Sequence, residues 1–351
     1  MLFRSILAKI FPYPPSESRS WRRGLLLKQT DYNSLNIKQK VIENTYTFIP
    51  KEKLTNFAAG YGHKFCPSNC PDPTQNCGIN FVCYAISTEQ INHLTKTEIV
   101  YQPDGSNPLT TITTNFYENP IYTLPTKTEV VNNKGHLMKT ETKYPYNYPG
   151  VLIYDSMVNR NMIGNPIESI YTNVTLTKEM SRSKTNYQFW FNNSLILPST
   201  YQKSMAGNNL QIEASINSYD VNGNLLQLTG KDGIANSFIW GYNKQYPVAK
   251  IINKQYSDVI SQSGINTILL NNATTTDAAM RLELNKLRTL FNCFITTYTY
   301  KPLIGITSET DPNGKTLYYE YDSFNRLKTI KDQDGKIIKT MDYKYQATLP
   351  Y

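Results

Sequence analysis

The sequence predicts a mainly β protein, an antiparallel, repeat-built curved sheet with one amphipathic helix near residues 276–291. Three observations carry that prediction. The 351 residues include 27 tyrosines and only 18% charged residues, and the remainder is rich in Thr and Asn, a composition that suits strands. Turn-forming tetrapeptides return about every ten residues through the C-terminal third. A 3.6-residue apolar stripe, the signature of an amphipathic helix, stands out at one place only.

Along the chain, residues 1–24 form an ill-defined N-terminal segment, 25–150 a hairpin region with a Cys-rich insertion at 62–84, and 151–351 a repeat region holding the helix. The opening "MLFRSILAKIFPYPP" resembles an export signal only superficially. Lys9 interrupts its apolar run and Pro12, Pro14 and Pro15 end it, so neither a signal peptide nor a membrane span is expected. The densest basic spot, Arg19, Arg22 and Arg23 around Trp21, reads as a solvated strand entry with a buried Trp. The net charge of +9 is otherwise spread singly along the chain, which argues for solubility and against a nucleic-acid partner.

Leu25 to Phe48 alternates apolar and polar residues on either side of Asp31-Tyr-Asn-Ser34, a hairpin pattern. A second hairpin folds across Pro103-Asp104-Gly105, where Asp-Gly supplies the positive φ of a tight turn. A third folds across Asn132–Gly135. Between the first two lies "CPSNCPDPTQNCGINFVC", with three, six and five residues separating Cys66, Cys70, Cys77 and Cys83. Two disulfides, a metal site aided by His63, and free thiols all remain open; disulfides fit an exported protein best. Cys293, in "FNCFITTY", reads as a buried apolar thiol.

The "YPYNYPG" stretch at 144–150 marks the boundary before the repeat region, and Ser156 to Met162 has the character of a short helix. In "NNATTTDAAMRLELNKLRTLF", Thr276 or Asp277 caps a helix whose inward stripe is Met280, Leu284, Leu287 and Phe291, with Glu283 and Lys286 outward. Such a stripe is a packing face, expected to lie against the sheet or over its edge.

The turns of the last third are Asp311-Pro-Asn-Gly314, Asp322-Ser-Phe-Asn325 and Asp332-Gln-Asp-Gly335, whose ends fall eleven and ten residues apart. Asp220-Val-Asn-Gly223 and Lys231-Asp232-Gly233 are earlier copies. A period near ten is one strand plus one turn, so successive strands are antiparallel neighbours. Asp accepts backbone N–H bonds two residues on, and Gly or Asn in fourth place takes the left-handed conformation that closes the turn. Tyr298 and Tyr300, like Tyr319 and Tyr321, share a strand face and can form a cross-strand aromatic ladder.

"YEYDSFNRLKTIKDQDG" resembles the Tyr-Asp repeat of the RHS/YD-repeat proteins: Tyr-x-Tyr-Asp, two residues, Gly-Arg-Leu, a short strand, then Asp-x-x-Gly. Tyr321, Asp322, Arg326, Leu327 and Gly335 match, with Asn325 in place of Gly. "YDVNGNLLQLTGKDG", beginning at Tyr219, matches again with Asn224 where Arg is usual. The likeness is strong from Tyr219 to Tyr345, loose from Trp21 to Thr177 and absent over the Cys segment. The stretch from Thr296 to Asp322 is similar to the C-terminal repeats of large surface proteins of this family, particularly those of Bacteroidetes-like bacteria. What the resemblance implies is a non-enzymatic strip of strands, in complete members part of a hollow shell that often encloses a toxic domain. The chain then works beside the remainder of a longer protein at the cell surface or outside the cell.

Chemistry is sparse. His63, His93 and His136 sit in no nucleophile elbow or metalloprotease pattern, and no phosphate-binding loop occurs. A secreted hydrolase would need one of these histidines beside a Ser or Cys and an acid. Asp332 and Asp334, near Asp311, could hold calcium but read better as turn residues, and no cofactor is implied. The tyrosine ladder also admits a carbohydrate- or protein-binding adhesion module, for which an exposed row of coplanar rings would speak; rings buried against the helix would speak for a scaffold.

Overall fold

The computed structural model describes residues 22–61, 79–132 and 134–344, with the backbone alone for 52–61 and 79–87. Cys66, Cys70 and Cys77, together with His63 and Trp21, lie outside the described residues, as does the Cys83 side chain. The architecture is mainly β and antiparallel, with eighteen strands among the described residues.

The chain divides into two compact units, one holding residues up to Tyr144 together with Ile163–Ser181, the other Pro145–Met162 and the residues from Arg182 onward. In the first, β1 (Lys28–Tyr32), β2 (Lys38–Tyr61), β3 (Ile79–Val100), β4 (Leu109–Phe116), β5 (Lys127–Val131), β6 (Leu137–Lys143) and β7 (Glu168–Asn173) pair in sequence order. The first hairpin turns over Asn33–Ile37, two residues beyond the expected Asp31–Ser34, because the Asn33 side chain caps that turn. Beyond Phe48, where an end was expected, β2 runs on to Tyr61. It crosses a register irregularity between Pro50 and Lys53, where proline has no N–H to give the ladder. Alternating charges lace these strands: Lys28 opposes Glu43, with a 2.7 Å ion pair, and Lys40 reaches Glu98 at 2.6 Å. At the strand entry, Arg22 pairs with Glu89 and stacks over the Phe48 ring.

The second unit begins with α1 (Leu152–Asn159), four residues ahead of the short helix expected from Ser156; it buries Tyr154 and Met157. The strand β8 (Lys178–Trp190) leads to β9 (Leu195–Met205), β10 (Gln211–Tyr219), β11 (Leu225–Gly230), β12 (Ala235–Gly241) and β13 (Tyr246–Ile252). Three helices follow, α2 (Tyr256–Ser263), α3 (Thr267–Leu270) and α4 (Asp277–Asn285). The ladder then resumes with β14 (Phe294–Lys301), β15 (Gly305–Thr310), β16 (Thr316–Tyr321), β17 (Leu327–Lys331) and β18 (Ile337–Thr340). From β9 to β18 each strand pairs antiparallel with the next.

The expectation of one late helix is therefore too few. The three helices together close the core of this unit over β12 to β14, with Val259, Leu270, Met280, Leu284 and Leu287 packed against Ile239, Val248, Ile251 and Ile295. Thr276 caps α4 as expected, its hydroxyl accepting from the Ala279 N–H.

Two orientations in the helix stripe differ from expectation. A 3₁₀ turn over Lys286–Thr289 rotates the chain after α4, so Leu290 is buried while Phe291 is 81% exposed. Glu283 points inward, only 6% exposed, because its carboxylate accepts the Asn266 N–H at 2.6 Å and pairs with Lys286 at 2.9 Å. These partners hold its carboxyl below the usual range against the opposing pull of burial. The helical layer is tied to the ladder by Arg288, whose guanidinium donates to the carbonyls of Ile295, Thr310 and Pro312.

Candidate functional site

The feature most often repeated in the structure is a turn. At Asp220, Asp311, Asp322 and Asp332 the carboxylate Oδ1 accepts the N–H groups two and four residues on, at 2.8–3.0 Å. The same residue's N–H donates to the carbonyl four residues on at 2.9 Å, and its carbonyl accepts the N–H three residues on. The fourth position is left-handed in every copy, with φ of 84° at Gly223, 82° at Gly314, 61° at Asn325 and 80° at Gly335. Asn325 thus fills the glycine position of the motif at the modest strain asparagine tolerates.

Two further copies begin with asparagine. Asn33 and Asn132 each accept the same pair of N–H groups, with Asn36 and Gly135 left-handed. The sequence predicts a turn at Asn132–Gly135 and one two residues ahead of Asn33, though not as copies of this unit. The signal was present as Asx, two residues, then Gly or Asn, since only a side-chain oxygen is needed at the first place.

The Tyr before the Asp has its own task. Tyr321, at the end of β16, donates its hydroxyl to the Ile306 carbonyl near the start of β15 at 2.9 Å. Tyr219 does the same from the end of β10 to Pro198 in β9 at 3.0 Å, and Tyr300 from β14 to Pro247 in β13 at 2.9 Å. Trp240 repeats the pattern through its indole N–H to Leu225 at 2.8 Å. Each is a staple between neighbouring strands placed where the next turn begins, so Tyr-Asp is one mechanical unit. Burial pushes the phenols of Tyr219 and Tyr300 up to about 12, so both remain neutral donors at ordinary pH. Gly305 is part of the arrangement: a Cβ there would overlap the Tyr321 hydroxyl and lie 2.8 Å from its Cζ.

Arg326 completes the motif by binding the Asp322 carboxylate through Nε at 2.7 Å while lying over the rings of Phe324 and Tyr343. Its side-chain hydrogen bond, together with the turn N–H groups, holds the Asp322 carboxyl below its usual value. Asn224, which stands where Arg is usual, reaches Asp220 Oδ2 at 3.2 Å and the Lys244 carbonyl at 2.9 Å. Leu327 opposes Tyr321 across the strands.

The tyrosines are not a row of coplanar rings. Tyr298 and Tyr300 are 6.4 Å apart and tilted by 40°, Tyr246 stacks on Tyr300 at 4.9 Å, and Tyr242 meets Tyr300 edge-on at 90°. Tyr242 and Tyr300 pack against the helix-covered core. On the helix side a groove of about 280 Å³ runs beside α4, lined by Arg281, Asn285, Thr297, Thr310, Thr316 and Tyr318. Arg281 already lies over Tyr318 and pairs with Asp277 at 3.7 Å.

His93 bonds Thr47 at 2.7 Å beside Phe116, and His136 bonds Asn173 at 3.1 Å. Asp332 spends an oxygen on its own turn, and among the described residues no three His, Cys, Asp or Glu side chains gather as a metal site. Cys293 is a free, half-buried thiol whose pKa burial pushes up. No helix among the described residues is long and apolar enough to cross a membrane, which leaves crossing by strands unaddressed.

Residues 305–337 match the family model described as RHS Repeat, a span that takes in the turns at Asp311, Asp322 and Asp332. Among solved structures, the chain is similar to TcdB2-TccC3 at 10% identity and a TM-score of 0.31, over 90% of this chain and 15% of that one. A Photorhabdus luminescens Tc holotoxin pore carrying a TccC3 mutation is similar at 9% identity and 0.28, over 90% and 19%. A porin-like protein from Bacteroides uniformis is similar at 9% identity and 0.18, over 88% and 84%. Likenesses of this size carry no conclusion about this chain, which spans only 15–20% of the TcdB2-TccC3 chains. No curated protein matches the sequence.

Proposed function

Because residues 305–337 form an RHS repeat, we propose that the chain is a non-enzymatic structural length of an RHS/YD-repeat protein, working as shell wall or display surface. One observation carries this reading: the turn-and-staple unit recurs along β9 to β18 with its polar side chains spent on backbone groups. Residues so used hold strands in register. The finer reading places the strip in a longer secreted or surface protein of the toxin-associated kind, and the resemblance of the Tyr219–Tyr345 region supports it.

Hydrogen exchange on the full chain tests the structural role. The amides of β10 to β17 are expected to exchange slowly as one block with no ligand added; exchange at unfolded-chain rates would overturn it. Protease treatment of intact cells tests location: cleavage before lysis is expected, and protection until lysis would refute a surface role.

A second reading, a carbohydrate- or protein-binding module, draws on Tyr298 and Tyr319. Both are half-buried, and the Tyr319 hydroxyl donates to the Glu309 side chain on β15 and not to a backbone carbonyl. Binding on a glycan array that is lost on replacing Tyr298 by leucine would favour carbohydrate.

A further inference from the structure

Strand glutamates in this protein have cations. Glu98 pairs with Lys40, Glu213 with Lys231 and Glu320 with Lys331. Glu309, the next-to-last residue of β15, forms no ion pair among the described residues; its carboxylate accepts only the Tyr319 hydroxyl, at 3.2 Å on Oε2. Its surroundings are aromatic. Tyr298 stands directly opposite on β14, and Tyr319 flanks it from β16. Alternation puts Glu309, Tyr298 and Tyr319 on the face opposite Ile295 and Thr297, which point toward α4. Glu309, Tyr298 and Tyr319 are all half-buried.

A carboxylate with one oxygen unspent among electron-rich ring faces is the chemistry that receives an organic cation. A metal ion would want several oxygen ligands, whereas among the described residues no three His, Cys, Asp or Glu side chains gather here, and the phenols stay neutral, their pKa values raised by burial and by Glu309. The sequence carries nine more cations than anions, so a cation drawn to this patch is attracted by local geometry and not by overall charge. We propose that Glu309, with Tyr298 and Tyr319, receives a lysine or arginine side chain of a partner polypeptide. The proposal deepens the protein-binding reading above and is independent of the structural one, because strand protection in exchange reports the ladder whatever happens at Glu309.

The test is fluorescence anisotropy of labelled hexalysine with the full chain at low salt. Wild type is expected to bind, Glu309→Gln to bind at least about tenfold more weakly, and Glu320→Gln, on the opposite face, to bind as wild type does. Glutamine keeps an oxygen for the Tyr319 hydroxyl, and unchanged exchange protection of β14 to β16 establishes that the variant is folded. Equal binding by wild type and Glu309→Gln, or no binding by wild type, overturns the proposal. Competition by tetramethylammonium as effective as that by hexalysine overturns the assignment to a polypeptide.

Discussion

Replacing Gly305 by alanine probes the staple directly. A Cβ at that position would overlap the Tyr321 hydroxyl, lie 2.8 Å from Cζ and 3.3 Å from Cε1. The ring cannot yield freely, because its hydroxyl is bonded to the Ile306 carbonyl at 2.9 Å. Overpacking of this kind costs about 1–3 kcal/mol, and a ring that swings away forfeits about 1 kcal/mol more in the lost hydrogen bond. The expected destabilisation is about 2–4 kcal/mol, against about 1 kcal/mol for Tyr321→Phe alone. In the double variant the nearest overlapping atom is gone while Cζ remains, so the alanine penalty is expected to fall by about 1 kcal/mol, within the range of coupling for touching residues. A chain of two compact units need not unfold in one step, so the measurement is the opening free energy of β15 and β16 amides by native-state hydrogen exchange. An alanine variant within about 0.5 kcal/mol of wild type, or a penalty untouched by Tyr321→Phe, would refute the reasoning.

Leu287→Ala, at a fully buried position, is expected to cost about 2–5 kcal/mol, while Phe291→Ala, 81% exposed, changes stability by less than about 0.5 kcal/mol; denaturant melts of the two should rank them so, and the reverse order would restore the simple helical stripe. Asn325→Val, forced to φ near 61°, should lose about 1–2 kcal/mol in the exchange of β16 and β17, and Asn325→Gly should stay near wild type. Side-chain hydrogen bonds from Lys40 and Lys96 lower the Glu98 carboxyl from 4.5 to about 2. Its folded pKa is depressed, so its contribution is present above 4.5 and fades as pH falls toward about 2; an acid titration of Glu98→Gln by circular dichroism should lack that component, and an unchanged profile would dismiss the pair as an energetic partner.

The turns at Asp220, Asp311, Asp322 and Asp332 were legible in the sequence because each is closed by atoms within five residues. So were the hairpins across Gly105 and Gly135, the Thr276 cap, and the inward Met280, Leu284 and Leu287. Local chemistry fixes such features before any long-range contact forms. Other placements depended on partners distant in sequence. Glu283 turned inward because Asn266, the residue that caps α3, presented an N–H to it, and Leu290 displaced Phe291 from the core once a 3₁₀ turn broke the 3.6 period. The staples from Tyr219, Tyr300 and Tyr321 reach carbonyls 15 to 53 residues away. Periodicity could place those rings on a strand face, but only the packed neighbour decided what their hydroxyls hold, and only that packing made Gly305 a position where a methyl group has no room.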